Sequence, residues 1–243
     1  MNMLSAIAQP ATLDAWLAHI ESLNARPINM GLERVGRVWR ALGATPTFAI
    51  VTVGGTNGKG STCTFLESIL GSAGYSVGTY TSPHFLRHNE RVRVDGEAAA
   101  DEALCEAFAS IERARGDIPL SYFEFGTLAA MLLFVDSDVD VAILEVGLGG
   151  RLDAVNIFDP QCTVVTSVDM DHMDYLGQTR EAIGYEKAGI FRRAIAAVCA
   201  DPDPPASVSR HARTVDARLL RIGQDFGYSR SGEGWGYWGP GGD

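Results

Sequence analysis

The 243-residue chain has an ordinary globular composition, with 46% hydrophobic and 21% charged residues, and a formal net charge of −10. This length allows one large α/β domain or two small ones, and the acidic balance argues against a protein that coats nucleic acid. The N-terminus lacks the basic region of a signal peptide, and no apolar run reaches the roughly 18 residues needed to cross a bilayer. The sequence therefore predicts a soluble, cytoplasmic protein with no membrane or nucleic-acid partner.

The first predicted element is an amphipathic helix, because apolar residues recur at helical spacing between Leu13 and Leu23. A loop is predicted over residues 27–31. The apolar run 48–53 is rich in β-branched residues and suits a buried parallel strand. Glycines follow it at once, and helical spacing resumes over residues 62–70. The predicted order is therefore strand, glycine loop, helix.

Strands and helices continue to alternate in the rest of the chain. Strands are predicted over residues 75–80, 141–146, 163–168 and 194–199, and helices over residues 101–115, 125–135 and 179–188. Ser121 and Glu124 form a capping-box signature ahead of the second of these helices. This alternation predicts an α/β fold with a mostly parallel sheet and helices on both faces.

The last residues, 223–243, are rich in glycine and aromatic residues and show no helical period. Short antiparallel strands at the sheet edge and a disordered tail both remain open for this segment. We expect the main domain to occupy residues 1–222. The four cysteines, Cys63, Cys105, Cys162 and Cys199, form no CxxC pair and are expected to be reduced thiols.

Residues 54–61, Gly-Gly-Thr-Asn-Gly-Lys-Gly-Ser, join a predicted buried strand to a predicted helix. Glycines let successive backbone N–H groups turn toward an anion, and the helix N-terminus adds partial positive charge. Lys59 offers a mobile cation for the β- and γ-phosphates, and Ser61 a hydroxyl for Mg²⁺. The spacing departs from the general phosphate-loop pattern, because Val53 replaces its first glycine and Gly60 separates Lys59 from Ser61. We interpret the segment as an ATP-binding phosphate loop rather than a glycine-rich turn with an incidental lysine.

Ser82, Glu145 and His172 lie at or just after the ends of three other predicted strands. In open α/β sheets, ligands bind outside the carboxyl ends of the strands. If these strands neighbour the strand of the phosphate loop, a hydroxyl, a carboxylate and an imidazole converge on the phosphates, where they could bind Mg²⁺. Spacing alone leaves two alternatives open. Glu145 could instead pair with Arg151, and His172 could be a loop histidine in an acidic turn.

Other candidate side chains carry weaker signals. Lys187 is by default a solvated lysine near a helix C-terminus. Arg87, Arg91 and Arg93 could meet an anionic substrate or line a solvated strand. Three phenylalanines are expected in the core more readily than as stacking platforms: Phe85, Phe123 and Phe125.

Five segments together resemble the folylpolyglutamate synthase/dihydrofolate synthase family, within the Mur-ligase-like amide ligases. They are GTNGKGS (55–61), SPHFLRHNERVRVDG (82–96), FEFGTLAAMLLF (123–134), ILEVGLGGRLDAVN (143–156) and SVDMDHMDYLGQTREAIGYEKAGIFR (167–192). They occur in the family's order. The SPH and EVGLGGRLDA segments separate this family from the cell-wall Mur ligases, whose loop is more usually GTNGKTT. The resemblance implies a Mur-ligase-like central domain and an ATP-dependent carbon–nitrogen (acid–amino-acid) ligase.

The resemblance also implies roles for individual residues. ATP would be held by Gly55, Thr56, Asn57, Gly58, Lys59, Gly60 and Ser61. Of two Mg²⁺ ions, one would be bound near Ser61 by Ser82 and Glu145, and the other by Glu145, His172 and a carbamylated Lys187. The catalytic residues would be Lys59, Glu145, His172 and Lys187. The pterin would lie near Ile28, Asn29, Phe123, Glu124, Phe125, Gly126, Thr127, Leu152, Asp153 and Ala154.

In the reaction that the resemblance implies, a carboxylate of dihydropteroate or of a (tetrahydro)folate attacks the γ-phosphate of ATP, and L-glutamate attacks the resulting acyl phosphate. The family acts in folate biosynthesis and one-carbon metabolism and is mostly monomeric. Its members continue into a Rossmann-like C-terminal domain that closes over ATP, and this sequence stops before that domain. We therefore expect a truncated form, a fragment in preference to a chain completed by a partner. Two alternatives stay open: a nucleotide-binding module without turnover, and a Mur-type ligase acting on a UDP-sugar peptide.

Overall fold

The computed structural model describes residues 10–23, 30–232 and 234–241. Its strands are β1 (Ala49–Gly54), β2 (Val77–Tyr80), β3 (Val92–Val94), β4 (Glu97–Ala98), β5 (Val141–Glu145), β6 (Cys162–Val165), β7 (Ala196–Cys199), β8 (Arg218–Arg221), β9 (Gly227–Ser231) and β10 (Gly234–Trp238). Its α-helices are α1 (Leu13–Ser22), α2 (Glu33–Leu42), α3 (Lys59–Ser72), α4 (Asp101–Arg115), α5 (Tyr122–Asp136), α6 (Met173–Leu176), α7 (Arg180–Ala188) and α8 (Ala206–Val215). Two short 3₁₀ helices span His88–Arg91 and Ala154–Ile157.

An eight-stranded sheet forms the centre of the molecule, in the order β4-β3-β2-β5-β1-β6-β7-β8. The strands from β2 to β8 in this order run parallel, whereas β3 and β4 extend the sheet as an antiparallel arm beside β2. The prediction of a mostly parallel sheet is confirmed. Strand β1, which leads into the phosphate loop, lies between β5 and β6 near the middle of the sheet.

Helices cover both faces of this sheet, as predicted. On one face α3 packs over a small core that contains Val53, Cys63, Val77 and Ile143. On the other face a larger core gathers the apolar sides of α1, α2, α4, α5, α7 and α8. The approach of α5 to β2 is so close that a Cβ added at Gly78 would lie 2.5 Å from the Phe134 ring. Only glycine fits at that position of β2.

Polar side chains cap the N-termini of three helices, α1, α5 and α7. The Ser121 hydroxyl accepts a hydrogen bond from the Glu124 N–H, and the Glu124 carboxylate accepts one from the Ser121 N–H at 2.7 Å. This arrangement is the predicted capping box at the start of α5. Thr12 and Thr179 cap α1 and α7 through their hydroxyl groups.

Several predicted strands are shorter in the structure. The strand predicted over 163–168 ends at Val165, since the backbone of Val168 bonds to side chains instead of to a neighbouring strand. The strands predicted from residues 75 and 194 begin at Val77 and Ala196. The elements that sequence reasoning missed are α2, α6, α8, β3, β4 and β8.

The segment after residue 222 contains the antiparallel strands that were one of the two expectations for it. Strands β9 and β10 pair with each other as a separate two-stranded sheet and do not extend the main sheet. The division of the chain at residue 222 stays a prediction. All four cysteines are free, as expected. Within the described ranges, no helix is long and apolar enough to cross a membrane.

Candidate nucleotide and metal site

The carboxyl ends of β2, β5, β1 and β6 meet along one edge of the sheet. This strand order brings Ser82, Glu145 and the phosphate loop together, as the sequence predicted. The Ser82 N–H donates to Glu145 Oε2 at 3.0 Å. A Cβ added at Gly60 would lie 3.7 Å from the same oxygen. The buried carboxylate therefore lies directly beside the first turn of α3.

The phosphate loop, residues 54–61, is held in shape by the segment that follows β6, residues 166–172. Thr56 N–H donates to the Ser167 carbonyl at 2.8 Å, and Asn57 N–H donates to Ser167 Oγ at 3.1 Å. Lys59 Nζ donates within the loop to the carbonyls of Gly55 and Thr56, at 3.1 and 3.2 Å. The lysine charge is thereby fixed at the N-terminus of α3, where phosphate groups bind in proteins.

Glu145 is only 4% exposed, and burial raises the pKa of its carboxyl group. The hydrogen bond from Ser82 and the positive charges of Lys59, Arg93 and Arg91 oppose that rise. The alternative partner Arg151 instead pairs with Glu186 at 2.9 Å. The interpretation of Glu145 as a partner of Arg151 is therefore wrong.

Lys187 is 3% exposed, so the default expectation of a solvated lysine is wrong. The chain after β5 packs against the last turn of α7: Arg151 N–H donates to the Glu186 carbonyl at 2.8 Å, and a Cβ at Gly150 would lie 3.0 Å from the Lys187 carbonyl. Burial and, to a smaller extent, the charge of Lys59 lower the pKa of Lys187 to about 8, against the opposing effect of Asp171.

His172 precedes α6 with a left-handed backbone, at φ 48°. Its side chain is half-exposed, and its Nε2 lies 3.6 Å from Asp171 Oδ2. This contact is the acidic-turn environment that the sequence left open for His172. The same side chain also borders the cavity described next, so the two interpretations do not exclude each other.

A cavity of about 390 Å³ opens beside the phosphate loop. Its lining includes Lys59, Ser82, Arg91 and His172, and five residues predicted to bind substrate: Phe123, Glu124, Leu152, Asp153 and Ala154. A second cavity of about 560 Å³ shares Ser82 and Pro83 with the first and is lined by Gly58, Gly60, Ser61 and Glu145. The residues predicted to bind the organic substrate and the residues of the phosphate loop thus line adjoining cavities.

Other predicted substrate residues lie elsewhere. Phe125, Gly126 and Thr127 are buried within α5 and form no part of the cavity lining. Phe123 lines the cavity, and Phe125 is core as expected, but Phe85 is 95% exposed, so its expected place in the core is wrong. Ile28 and Asn29 lie outside the described residues.

The three arginines differ in their partners. Arg87 pairs with Asp101 at 3.1 Å, and Arg93 pairs with Glu67 at 3.0 Å. Arg91 lines the cavity, donates from Nε to His84 Nδ1 at 2.8 Å, and lies over the Tyr122 ring. Among the described residues no carboxylate forms an ion pair with Arg91. Its remaining N–H groups are therefore available to an anionic ligand in this cavity.

Sequence reasoning missed the contribution of the segment after β6. Thr166 Oγ1 donates to the Asn57 carbonyl at 2.7 Å, and Asp169 N–H donates to Thr56 Oγ1 at 3.0 Å. The available signal was a run of hydroxyl and acidic residues at a strand end, which favours bonds to nearby backbone. These residues therefore support the phosphate loop through hydrogen bonds.

The Mur ligase middle domain family matches residues 53–227 of the chain. The dihydrofolate synthase/folylpolyglutamate synthase of Escherichia coli (strain K12) is 50% identical over 226 residues, which are 93% of this chain and 54% of that protein. The corresponding Haemophilus influenzae protein is 46% identical, over 92% of this chain and 51% of its own length. The chain therefore spans about half the length of the curated relatives it matches.

Solved structures agree with this similarity. E. coli FolC in complex with DHPP and ADP has a TM-score of 0.94 at 49% identity, over 96% of this chain and 57% of that one. A bifunctional folylpolyglutamate synthase/dihydrofolate synthase with Mn, AMPPNP and L-glutamate bound has a TM-score of 0.89 at 47% identity, again over 96% and 57%. The chain belongs to the Mur ligase middle domain family, in a form similar to that of the dihydrofolate synthase/folylpolyglutamate synthases.

Proposed function

We propose that this chain is the nucleotide-binding part of an ATP-dependent amide ligase that adds L-glutamate to dihydropteroate or to a folate. The observation that carries the proposal is the cavity in which Lys59 and Ser82 face Phe123 and Asp153, beside the space lined by the phosphate loop. Solved structures of similar proteins, one in complex with DHPP and ADP and one with AMPPNP and L-glutamate bound, support this choice of substrates.

In the proposed reaction, the substrate carboxylate lies in the cavity near Arg91, and the phosphates of ATP lie along residues 55–61. A carboxylate oxygen forms a bond to the γ-phosphorus while the bond to the β-phosphate oxygen breaks, which gives ADP and an acyl phosphate. The amine of L-glutamate then bonds to the acyl carbon, loses a proton, and phosphate leaves. The fixed charge of Lys59 and the N-terminus of α3 stabilise the negative charge on the transferred group.

Residues of the site also fit one magnesium ion. Ser61, Ser82 and Glu145 would hold it, and two hydroxyl groups with a buried carboxylate match the preference of Mg²⁺ for oxygen ligands. Within the part of the chain that the structure describes, no group of three or more His, Cys, Asp and Glu side chains could hold a metal ion. The hydroxyl groups are therefore essential to the proposed ligand set. Bound Mg²⁺ would supply positive charge that neutralises the phosphate oxygens.

A second ion would need Glu145, His172 and Lys187, and an unmodified lysine is a poor ligand for Mg²⁺. Burial favours the neutral amine of Lys187, and the neutral amine is the form that reacts with carbon dioxide to give a carbamate. We therefore propose that Lys187 is carbamylated. NMR with isotope-labelled bicarbonate should show a carbamate signal that Lys187→Arg abolishes. An unmodified lysine in a chain with both metals bound would contradict this assignment.

Calorimetric titration of the chain with AMPPNP and Mg²⁺ tests the nucleotide site. Lys59→Ala should weaken binding by about tenfold or more, as expected for loss of a charged hydrogen-bond donor. Phosphate release from ATP and L-glutamate, with either dihydropteroate or a UDP-sugar peptide, then tests the substrate class. Release stimulated only by the UDP-sugar peptide would overturn the folate proposal. Binding without any turnover would favour a nucleotide-binding module.

The proposed partners are these small molecules alone, and the chain is proposed to act as a monomer. Light scattering during size-exclusion chromatography, with and without AMPPNP, measures its mass in solution. A dimer under both conditions would contradict the monomer.

A further inference from the structure

The segment that follows β6, residues 166–172, is held by hydrogen bonds to both backbone groups of one residue, Val168. Its N–H donates to Asp201 Oδ2 at 2.7 Å, and its carbonyl accepts from Arg180 Nε at 2.9 Å. Asp201 follows β7, and Arg180 is the first residue of α7. Side chains from two parts of the chain that carry none of the proposed phosphate ligands thus hold both backbone groups of Val168.

The two side chains that bond to Val168, those of Arg180 and Asp201, are themselves held by other bonds. Arg180 Nη2 lies 3.6 Å from Asp201 Oδ2 and donates to the Asp203 carbonyl at 2.8 Å. Asp201 is buried, and its other oxygen accepts from the Asp203 N–H at 2.9 Å. Because each side chain has at least two partners, neither can rotate away from Val168 without losing further bonds.

The neighbours of Val168 are the residues that hold the phosphate loop. Ser167 accepts hydrogen bonds from the N–H groups of Thr56 and Asn57, at 2.8 and 3.1 Å. Asp169 donates from its N–H to Thr56 Oγ1 at 3.0 Å. A shift of Val168 would move both contacts at once, since they flank it in the chain.

We infer that Arg180 and Asp201 are positioning residues for the phosphate loop, which they fix through Val168 without touching it. The inference rests on the proposed nucleotide binding. Backbone donors at an anion site are effective when their orientation is set before the ligand arrives. The hydrogen bonds to Val168 set that orientation from the β7 side of the phosphate loop, opposite β5.

The test compares Arg180→Gln and Asp201→Asn with a matched control, Arg210→Gln. Arg210 is an exposed arginine on α8 that pairs with Glu181 at 3.1 Å and makes no hydrogen bond to residues 166–172. The 243-residue chain is titrated with AMPPNP and Mg²⁺ at a temperature where every variant is folded. Arg180→Gln and Asp201→Asn should weaken binding by about tenfold, whereas Arg210→Gln should stay within about twofold of the wild type. Arg180→Lys, which keeps the charge, should recover part of the loss.

Hydrogen exchange separates positioning from general stability. In Arg180→Gln, the amides of Thr56 and Asn57 should exchange faster while those of β1 and β5 keep their protection. Faster exchange throughout the sheet, or affinity equal to that of the wild type, would overturn the positioning role. A wild-type chain that does not bind AMPPNP would instead show that the nucleotide proposal has failed. Arg180 is partly exposed, so this variant remains informative even if Asp201→Asn does not fold.

Discussion

Two glycines of the phosphate loop look equivalent in the sequence but meet different surroundings in the fold. At Gly55, with φ 146°, an added Cβ would lie 1.8 Å from Thr166 Oγ1. At Gly60, within the first turn of α3, the nearest atom to an added Cβ would be Glu145 Oε2 at 3.7 Å, an ordinary contact. The loop therefore needs a glycine at 55 for steric reasons, whereas the fold tolerates a methyl group at 60.

This contrast predicts opposite outcomes for two alanine variants. Gly55→Ala should lower the free energy of unfolding by about 3 kcal/mol, because it combines a clash with a strained backbone. Gly60→Ala should change it by at most about 1 kcal/mol, and in the stabilising direction, because alanine favours helix. Urea unfolding followed by circular dichroism measures both. Similar losses for the two variants would contradict the steric argument.

Arg91 and Arg87 provide a second matched pair at the scale of single residues. Arg91 lines the cavity without a carboxylate partner among the described residues, whereas Arg87 pairs with Asp101 at an exposed position. If the cavity holds the carboxylate of a pteroate, Arg91→Gln should weaken dihydropteroate binding by about tenfold, the size of one charged hydrogen bond. Arg87→Gln should have almost no effect. Calorimetry in the presence of AMPPNP tests both, and equal affinities would remove Arg91 from the substrate site.

At the scale of elements, β1 and β5 were predictable because each is a mainly apolar run with glycines at or soon after its end. Helix α2 was missed, although Val35 and Val38 recur at helical spacing and are buried. The burial of Lys187 had no local signal, because it depends on the chain after β5 packing against α7. The hydrogen bonds to Val168 likewise depend on Arg180 and Asp201, which lie 12 and 33 positions further along the chain.

The loop between β2 and β3 provides a pH prediction. His88 is buried there, with Nδ1 2.7 Å from the Tyr122 hydroxyl, and burial together with the charges of Arg91 and His84 lowers its pKa to about 4. In the unfolded chain this histidine should titrate near its ordinary value of about 6.5. Between these values the unfolded state binds a proton that the folded state does not bind, so stability falls as the pH falls from 6.5 to 4.

Comparing the wild type with His88→Phe should isolate this contribution. The unfolding free energy of the wild type should drop by up to about 3 kcal/mol more than that of the variant across this pH range. Tyr122→Phe removes the hydroxyl partner but keeps the histidine, so it should retain the wild-type pH dependence. Urea unfolding in a series of buffers measures the difference. Parallel pH profiles for the wild type and His88→Phe would show that His88 titrates normally in the folded state.

At the scale of the whole molecule, alternation of strands and helices predicted the fold class but not the order of strands. Nothing in the local sequence places β1 between β5 and β6, yet that placement brings Glu145 and the segment 166–172 to the phosphate loop. The antiparallel arm of β3 and β4 was missed because each strand has at most three residues. Such short strands show too little alternation to be recognised.

The hairpin of β9 and β10 tests whether residue 222 divides the chain into separate parts. Its strands pair only with each other, and within the described residues the buried core ends at Ala212 with Leu219 packed against it. The hydrogen bonds to β8 come from the connecting residues 224–226, for example the bond from Arg221 N–H to Asp225 Oδ2 at 2.8 Å. A chain ending at Phe226 keeps these bonds and loses only the hairpin, so it should lose at most about 1 kcal/mol of unfolding free energy, the value of one or two hydrogen bonds. Urea unfolding of both chains measures the loss, and a loss of several kcal/mol would place the hairpin in the same cooperative unit as the sheet.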